Sequence, residues 1–361
     1  MSIDEHRRKI DTIDEEMVRL LGERLEVARQ IGEEKEREGL PVLDAARERR
    51  VFDKVRALGA RMGVDEDEVE RIYERIVEAA KGVQYTTVAF QGEPGAFSEQ
   101  AAIEFFGRSA STHPNETFDS VFSSVTEDRT RFGIVPVENS SEGSISRVYD
   151  LFLDHDVKVT GETALRIVHC LIVAPGVTLG DIKRVYSHPQ ALGQCHTFLS
   201  HLGVELIPSY DTAGSVKQLK EQGARDAAAV AGVRAAELYG MDILAQGIED
   251  SQNNYTRFFI LSKRPMSPSG RDKTSVVFSV KHEPGHLFEA LKVMSDRGVN
   301  LTKIESRPTR QKPWDYNFYL DFEGHHEEPH FAEALEAMSH HCVFLRVLGS
   351  YPKAKPIWRS L

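Results

Sequence analysis

The first 84 residues contain one proline, Pro41, and one phenylalanine, Phe52, although the 361-residue chain holds 15 and 18 of these. A stretch that avoids proline while carrying 17 Lys+Arg and 22 Asp+Glu has the composition of helices with one apolar side. Ile10, Ile13, Met17, Leu20, Leu21, Val27, Ala28 and Ile31 recur at three- and four-residue steps. This spacing predicts one long amphipathic helix, stopping before Gly39-Leu40-Pro41. Asp44 stands at an N-cap position before a second helix with Val51, Val55, Leu58 and Met62 inward, closed by Gly63. A third helix is expected from Asp65, with Val69, Ile72, Tyr73, Ile76 and Ala80 inward.

From Tyr85 the pattern changes. Thr87–Phe90, Gly133–Val137 and Ala227–Ala231 read as short strands alternating with helical stretches and Gly/Pro turns, the pattern of an α/β domain. Pro265–Gly270 is linker-like. Beyond it the order strand, helix, strand, strand, helix, strand predicts an α+β ferredoxin-like unit. A multidomain chain is expected, divided at 1–84, 85–265 and 273–361, in line with a length of 361 residues. The net charge of −11 offers no basic face for nucleic acid, and no apolar run is long enough for a membrane span. Cys170, Cys195 and Cys342 form no CxxC pair, and no apolar leader follows Met1. A cytoplasmic location is the expectation.

Extending the register of the first helix puts Arg7, Arg24 and Lys35 on its apolar stripe. Cations there either snorkel to water or build an anion site inside a helical bundle. Arg7 and Arg24 are 17 residues apart in this sequence, roughly 25 Å along one helix, so they grip one small ligand only if they come from two chains. Arg47 and Glu48 follow Asp44, and Gln84 lies one turn beyond Ala80. This constellation resembles the all-helical chorismate mutase family. The resemblance implies that Arg24, Arg47 and the partner subunit's Arg7 hold two carboxylates. It also implies that Lys35 and Gln84 donate to the ether oxygen, and that Asp44 and Glu48 bind the hydroxyl side of the ring. Ala80 departs from the family, which has a small hydroxyl residue there. A pericyclic rearrangement needs no nucleophile, so freezing a conformer and stabilising charge on the breaking C–O bond suffice.

Four polar clusters mark the α/β region: Gln91–Ser98, Val137–Gly143, Tyr186–Gln190 with Gln194, and Asn253–Phe258. Singly each reads as a turn or a cap. Together, and with the Thr256-Arg257-Phe258 triplet, they resemble prephenate dehydratase. That family implies an α/β two-lobed, periplasmic-binding-like (type II) fold with the site in the cleft. Thr256 would hydrogen-bond the leaving ring hydroxyl, and Arg257 would bind a carboxylate. Gly95, Ala96, Phe97, Ser98, Asn139, Ser187, Gln194, Thr212 and Phe258 would line the rest.

Glu305-Ser306-Arg307-Pro308, Trp314 and Phe318–Asp321 resemble the phenylalanine-sensing ACT domain. Gly285, His286 and Leu287, facing Asn300 and Leu301 of another copy, would form the allosteric site, with Glu305, Ser306 and Arg307 shaping or transmitting it; His286 replaces the family's alanine. His326-Glu327-Glu328-Pro329-His330 matches HExxH, but Pro329 forbids a helix running through it, so no metal is expected.

The resemblances together imply an enzyme converting chorismate to prephenate and then to phenylpyruvate under inhibition by L-phenylalanine, without cofactor, membrane or nucleic acid. A homodimer is expected, with pairing of dimers into tetramers left open. Rival readings are a dehydratase acting on arogenate, a nonenzymatic amino-acid sensor, and a mutase joined to a dehydrogenase. No GxGxxG follows an expected strand, which disfavours the last.

Overall fold

The computed structural model describes residues 2–38, 44–82, 86–108, 110–309 and 315–354. The chain divides into two compact units, residues 1–87 with 106–111, and residues 88–105 with 112–361. In the first unit, α1 (Ile3–Glu38) runs for 36 residues, about 54 Å of helix. α2 (Ala45–Met62) begins at Asp44, whose side chain accepts the Arg47 N–H at 2.8 Å. It ends at Gly63, where φ of +71° suits only glycine at low cost. α3 (Glu66–Gly82) completes the unit, and Arg56 joins it to α2 through Asp67 and Glu70.

The buried apolar side chains described in these three helices are Ala28, Val55, Val77 and Ala80. Ile10, Ile13, Met17, Leu20, Val27 and Ile31 of α1 stay exposed, as do Leu58, Met62 and Ile72, all expected inward. The physical reason is length: a short α2–α3 hairpin cannot cover a helix of 36 residues.

In the second unit, a first lobe carries β1 (Thr87–Gln91), α4 (Phe97–Phe106), β2 (Ser111–Asn115), α5 (Phe118–Thr126), β3 (Phe132–Asn139), β4 (Gly143–Ser144), α6 (Ser146–Asp154) and β5 (Lys158–Arg166). The chain then crosses to a second lobe. This holds β6 (Cys170–Val173), β7 (Arg184–Ser187), α7 (Pro189–Gln194), α8 (His196–Leu202), β8 (Glu205–Pro208), α9 (Thr212–Gln222), β9 (Ala227–Ala231), α10 (Val233–Tyr239) and β10 (Asp242–Gln246). Its strand order is β10-β6-β9-β7-β8. The chain returns as β11 (Tyr255–Ser262), inserted between β3 and β5 of the first sheet. The two crossings are tied together by Ile167 N–H to the Asn254 carbonyl (2.8 Å) and Gly247 N–H to the His169 carbonyl (2.9 Å).

The C-terminal strands β12 (Asp272–Ser279), β13 (Leu301–Pro308), β14 (Tyr316–Glu323) and β15 (Phe344–Pro352) form an antiparallel sheet in the order β13-β14-β12-β15. With α11 (His286–Asp296) and α12 (Pro329–Ser339) on one face, this is the expected βαββαβ unit. Its other face packs on the reverse of the first-lobe sheet, where Phe259, Val159, Val277, Tyr319 and Tyr351 share one core. β15 passes so close to β5 that a side chain on Gly349 would meet the Val159 carbonyl oxygen at 2.1 Å.

Inside this seam Arg257 pairs with Glu162 (2.6 Å) and Asp321 (2.7 Å), and Lys273 with Glu162 (2.8 Å). Burial alone would raise the Glu162 pKa, but Arg257 and Lys273 hold it below the ordinary 4.5. A depressed carboxylate adds stability above its unfolded pKa and loses it as pH falls through the folded one. Glu162→Gln is therefore expected to lower neutral-pH stability by about 3 kcal/mol, having stripped a partner from two buried cations. The gap to the unmodified protein should close on acidification below pH 4.5, as measured by thermal unfolding at a series of pH values.

Candidate active site

A cavity of 650 Å³ opens between the two lobes of the second unit. Gly95, with φ of +94°, lets the loop after β1 pass against α10, where any Cβ would sit 2.9 Å from the Ala235 Cα. That close approach brings Ala96, Phe97 and Ser98 into the cavity wall, beside Asn139, Gln194, Thr212, Thr256 and Phe258. Thr212 opens α9, whose N-cap Asp211 accepts the Gly214 N–H at 2.7 Å.

A chain of amides crosses the cavity floor, and its polarity is fixed from both ends. Glu142, an acceptor when ionised, receives the Gln194 Nε2 at 2.8 Å, which turns the Gln194 Oε1 toward His169 Nε2 (2.9 Å) and Asn254 Nδ2 (3.0 Å). Asn254 Oδ1 then accepts from Asn139 Nδ2 at 2.8 Å. Independently, Asn139 Oδ1 receives the backbone N–H groups of Ser141 (2.9 Å) and Glu142 (3.1 Å), so Nδ2 has to be the donating end. The same Nδ2 reaches Thr256 Oγ1 at 3.1 Å. Thr256 therefore accepts from Asn139, and its own proton finds no acceptor among the described residues. With 8% of its surface exposed, Thr256 sits in a nearly dry wall with one hydrogen to give.

Three expected cavity residues are placed elsewhere. Arg257 faces away: strand alternation sets Thr256 and Phe258 toward the cavity and Arg257 toward the reverse of the sheet, where Glu162, Asp321 and Tyr351 hold it. Burial opposes its charge, but Tyr351, Asp321 and Glu162 raise its pKa above the ordinary guanidinium value. It is not available to a ligand in the cavity. Ser187 is fully buried and its hydroxyl donates to the Val230 carbonyl at 2.6 Å, tying β7 to β9. Gly95 shapes the loop without lining the cavity.

Residues that the sequence did not single out also line it. His169 is 2% exposed, and burial lowers its pKa, leaving it a neutral donor to Gln194. Asp211 is raised by burial, against the pull of the Gly214 N–H. Arg147, at the start of α6, is a cation in the wall. His169 escaped notice because Ile167-Val168-His169-Cys170 reads as plain strand; only its position at the lobe crossing marks it.

In the helical unit, Arg24 is half-buried, with Nη1 3.4 Å from the Ile76 carbonyl of α3, and Glu48 pairs with Lys81 at 2.9 Å. Asp44 caps α2, Arg47 is exposed on its first turn, and Lys35 is half-buried near the end of α1. Arg7 pairs with Asp4 (3.5 Å) on the far part of α1. Gln84 lies outside the described residues, as does Trp314.

In the C-terminal unit, Leu287 lines a smaller cavity of 440 Å³ with Val280, Pro284 and Phe318. Gly285, with φ of +89°, and His286 begin α11, and Asn300 and Leu301 lead into β13. Ser306 is exposed, whereas Glu305 bonds Ser144 (3.0 Å) and Arg307 bonds Ser146, both on the first lobe. His326 lies in a turn bonded to Ser350, with α12 starting only at Pro329, so HExxH is not helical. No cluster able to hold a metal occurs among the described residues.

Family models match residues 6–85 (chorismate mutase type II), 88–266 (prephenate dehydratase) and 274–340 (ACT domain). A bifunctional chorismate mutase/prephenate dehydratase of Aquifex aeolicus is 42% identical over 97% of this chain and 98% of its own length. An arogenate dehydratase/prephenate dehydratase of Arabidopsis thaliana is 44% identical over 73% of this chain and 71% of its own. Among solved structures, a prephenate dehydratase of Arthrobacter aurescens in complex with L-Phe superposes with a TM-score of 0.68 at 33% identity, covering 74% of this chain and 90% of that one. With a helical unit, a two-lobed cleft and a βαββαβ unit each matched in order, the chain belongs to the bifunctional chorismate mutase/prephenate dehydratase family.

Proposed function

We propose that this chain rearranges chorismate to prephenate in its helical unit and converts prephenate to phenylpyruvate in the cleft. The observation that carries the second step is the amide chain that leaves the Thr256 proton facing the cavity. Prephenate loses its ring carboxylate as CO2. The electron pair of that bond completes the aromatic ring and expels the ring hydroxyl, which takes one proton from solvent and departs as water. Thr256 donates to that oxygen, and the donation from Asn139 makes its O–H more polar. A neutral threonine is a weak acid, so its part is a hydrogen bond that strengthens as charge builds on the leaving oxygen. The apolar side of the wall, Phe97, Ile145 and Phe258, favours loss of CO2 by keeping the carboxylate poorly solvated.

For the first step, Arg24, Arg47 and the partner subunit's Arg7 hold the carboxylates of chorismate, Lys35 and Gln84 meet the ether oxygen, and Asp44 and Glu48 take the hydroxyl. A homodimer supplies the shared site. α1 supports it: a stripe that includes Ile10 at 56% and Met17 at 53% exposure lies open in one copy and offers an apolar surface to a second. L-Phenylalanine binds between two C-terminal units and inhibits; that a relative from Arthrobacter aurescens is found in complex with L-Phe supports the choice of ligand. We place the enzyme in the cytoplasm, where three unpaired cysteines stay reduced. Arogenate as an additional substrate fits the plant relative's name.

Feeding chorismate to the purified protein tests the reading: prephenate should rise and fall as phenylpyruvate accumulates. Formation of neither product refutes it.

Asn139→Asp keeps the shape but replaces the donor with an acceptor, so the Thr256 proton turns back to the carboxylate. The dehydratase kcat should fall roughly 10²-fold while mutase turnover is unchanged. Arg7→Ala and Arg24→Ala are each expected to abolish mutase activity, yet refolding them together should restore part of it through hybrid dimers. Verified hybrids without activity would remove the shared site. Gly285→Val, at a left-handed position with open space around it, should weaken phenylalanine binding in calorimetry and leave uninhibited turnover alone.

A further inference from the structure

The reverse face of the catalytic sheet is gripped by the C-terminal unit at the residues adjacent to the catalytic pair. Thr256 and Asn139 are register partners on β11 and β3, and so are their neighbours Arg257 and Glu138. Because side chains alternate, the first pair faces the cavity and the second faces the C-terminal sheet. There Asp321 receives Arg257 Nη1 at 2.7 Å, and Lys303 donates to Glu138 at 2.9 Å. Asp321 is itself held by the Ser275 hydroxyl at 2.6 Å, and Tyr351 bonds both Ser275 (2.7 Å) and Arg257 (3.2 Å). Lys303 also reaches Ser144 (3.0 Å), which bonds Glu305 in turn. Ser144 belongs to β4, the two-residue strand that follows the Ser140–Glu142 turn closed by Asn139.

We propose that Asp321 and Lys303 are positioning residues of the dehydratase: by clamping Arg257 and Glu138 they set the Asn139–Thr256 hydrogen bond on the far face, and phenylalanine inhibits by moving this clamp. The proposal rests on the roles given above to Thr256 and to phenylalanine. Geometry favours this route. Both clamp residues lie on the strands β14 and β13, which also shape the phenylalanine-sensing unit. Each acts one residue from a cavity side chain, so a shift of either strand reaches the cavity through a single peptide unit. The Arg257–Asp321 pair is buried and resists partial separation, because a buried charge left unpaired is costly, while Glu138 is partly exposed and lets the Lys303 arm adjust more freely.

The test uses the full-length protein, with Asp321→Asn and Lys303→Gln as independent variants. Amide hydrogen exchange of the segment 139–143 should speed up about tenfold in each, with no change in α8 or β10 of the second lobe. A purely structural role would instead loosen the C-terminal sheet and leave that segment alone. Calorimetry and turnover are then compared with and without L-phenylalanine. Binding should persist, while the fall in kcat that phenylalanine causes should shrink at least ~5-fold. Asp321→Glu, which keeps the charge, should restore part of both effects. If Asp321→Asn fails to fold, Lys303→Gln alone decides. Unchanged exchange in 139–143 together with unchanged inhibition overturns the proposal. Faster exchange in the variants, with an unmodified protein that phenylalanine does not inhibit, upholds the clamp and overturns the role given to phenylalanine.

Discussion

A buried guanidinium has to be paired, and the pairing of Arg257 organises the larger unit of this protein. Its partners come from two sheets: Glu162 from the first lobe, Asp321 and Tyr351 from the C-terminal unit. Removing either carboxylate leaves the Arg257 charge under-compensated beside the apolar side chains Phe259, Tyr319 and Val277. The seam therefore fixes how β11 lies, and β11 carries Thr256. One strand thus serves adhesion behind and, in the proposed reading, chemistry in front.

The elements were largely legible in the sequence because they rest on local signals. Asp44 and Gly63 bound α2 as their capping chemistry requires, and Pro329 starts α12 where it cannot continue a helix from His326. Periodicity gave the succession of strands and helices along the C-terminal unit. The cavity wall was legible in part: Ala96, Phe97, Ser98, Asn139, Gln194, Thr212, Thr256 and Phe258 do converge. Arg257 was misplaced because adjacency in a triplet was taken as membership of one site. In a strand, adjacent residues point apart, and the period of two carried the correct answer. Ser187 failed for a related reason, since its hydroxyl satisfies a neighbouring strand. The amide chain was not legible at all, because it depends on β11 returning between β3 and β5, a pairing 117 residues apart in sequence.

The helical unit presents a different relation between sequence and structure. Its apolar stripe was read correctly as a stripe, but one copy leaves it exposed along α1. Such a surface costs solvation in isolation, and the proposed homodimer would remove it from water. A site that draws Arg7 and Arg24 onto one ligand needs two copies on distance alone, so in the proposed dimer covering the stripe and completing the site would be the same event.

The hydrogen bonds that end at Thr256 run in one direction, and neutron diffraction of the deuterated protein reads that direction. Deuterium is expected on His169 Nε2 and on Gln194 Nε2 toward Glu142. One Asn139 Nδ2 deuteron should point to Thr256 Oγ1, and the Thr256 deuteron itself should lie in the cavity. A Thr256 deuteron directed at Asn139 would remove Thr256 from the reaction, because the hydroxyl would then have nothing to offer a departing oxygen.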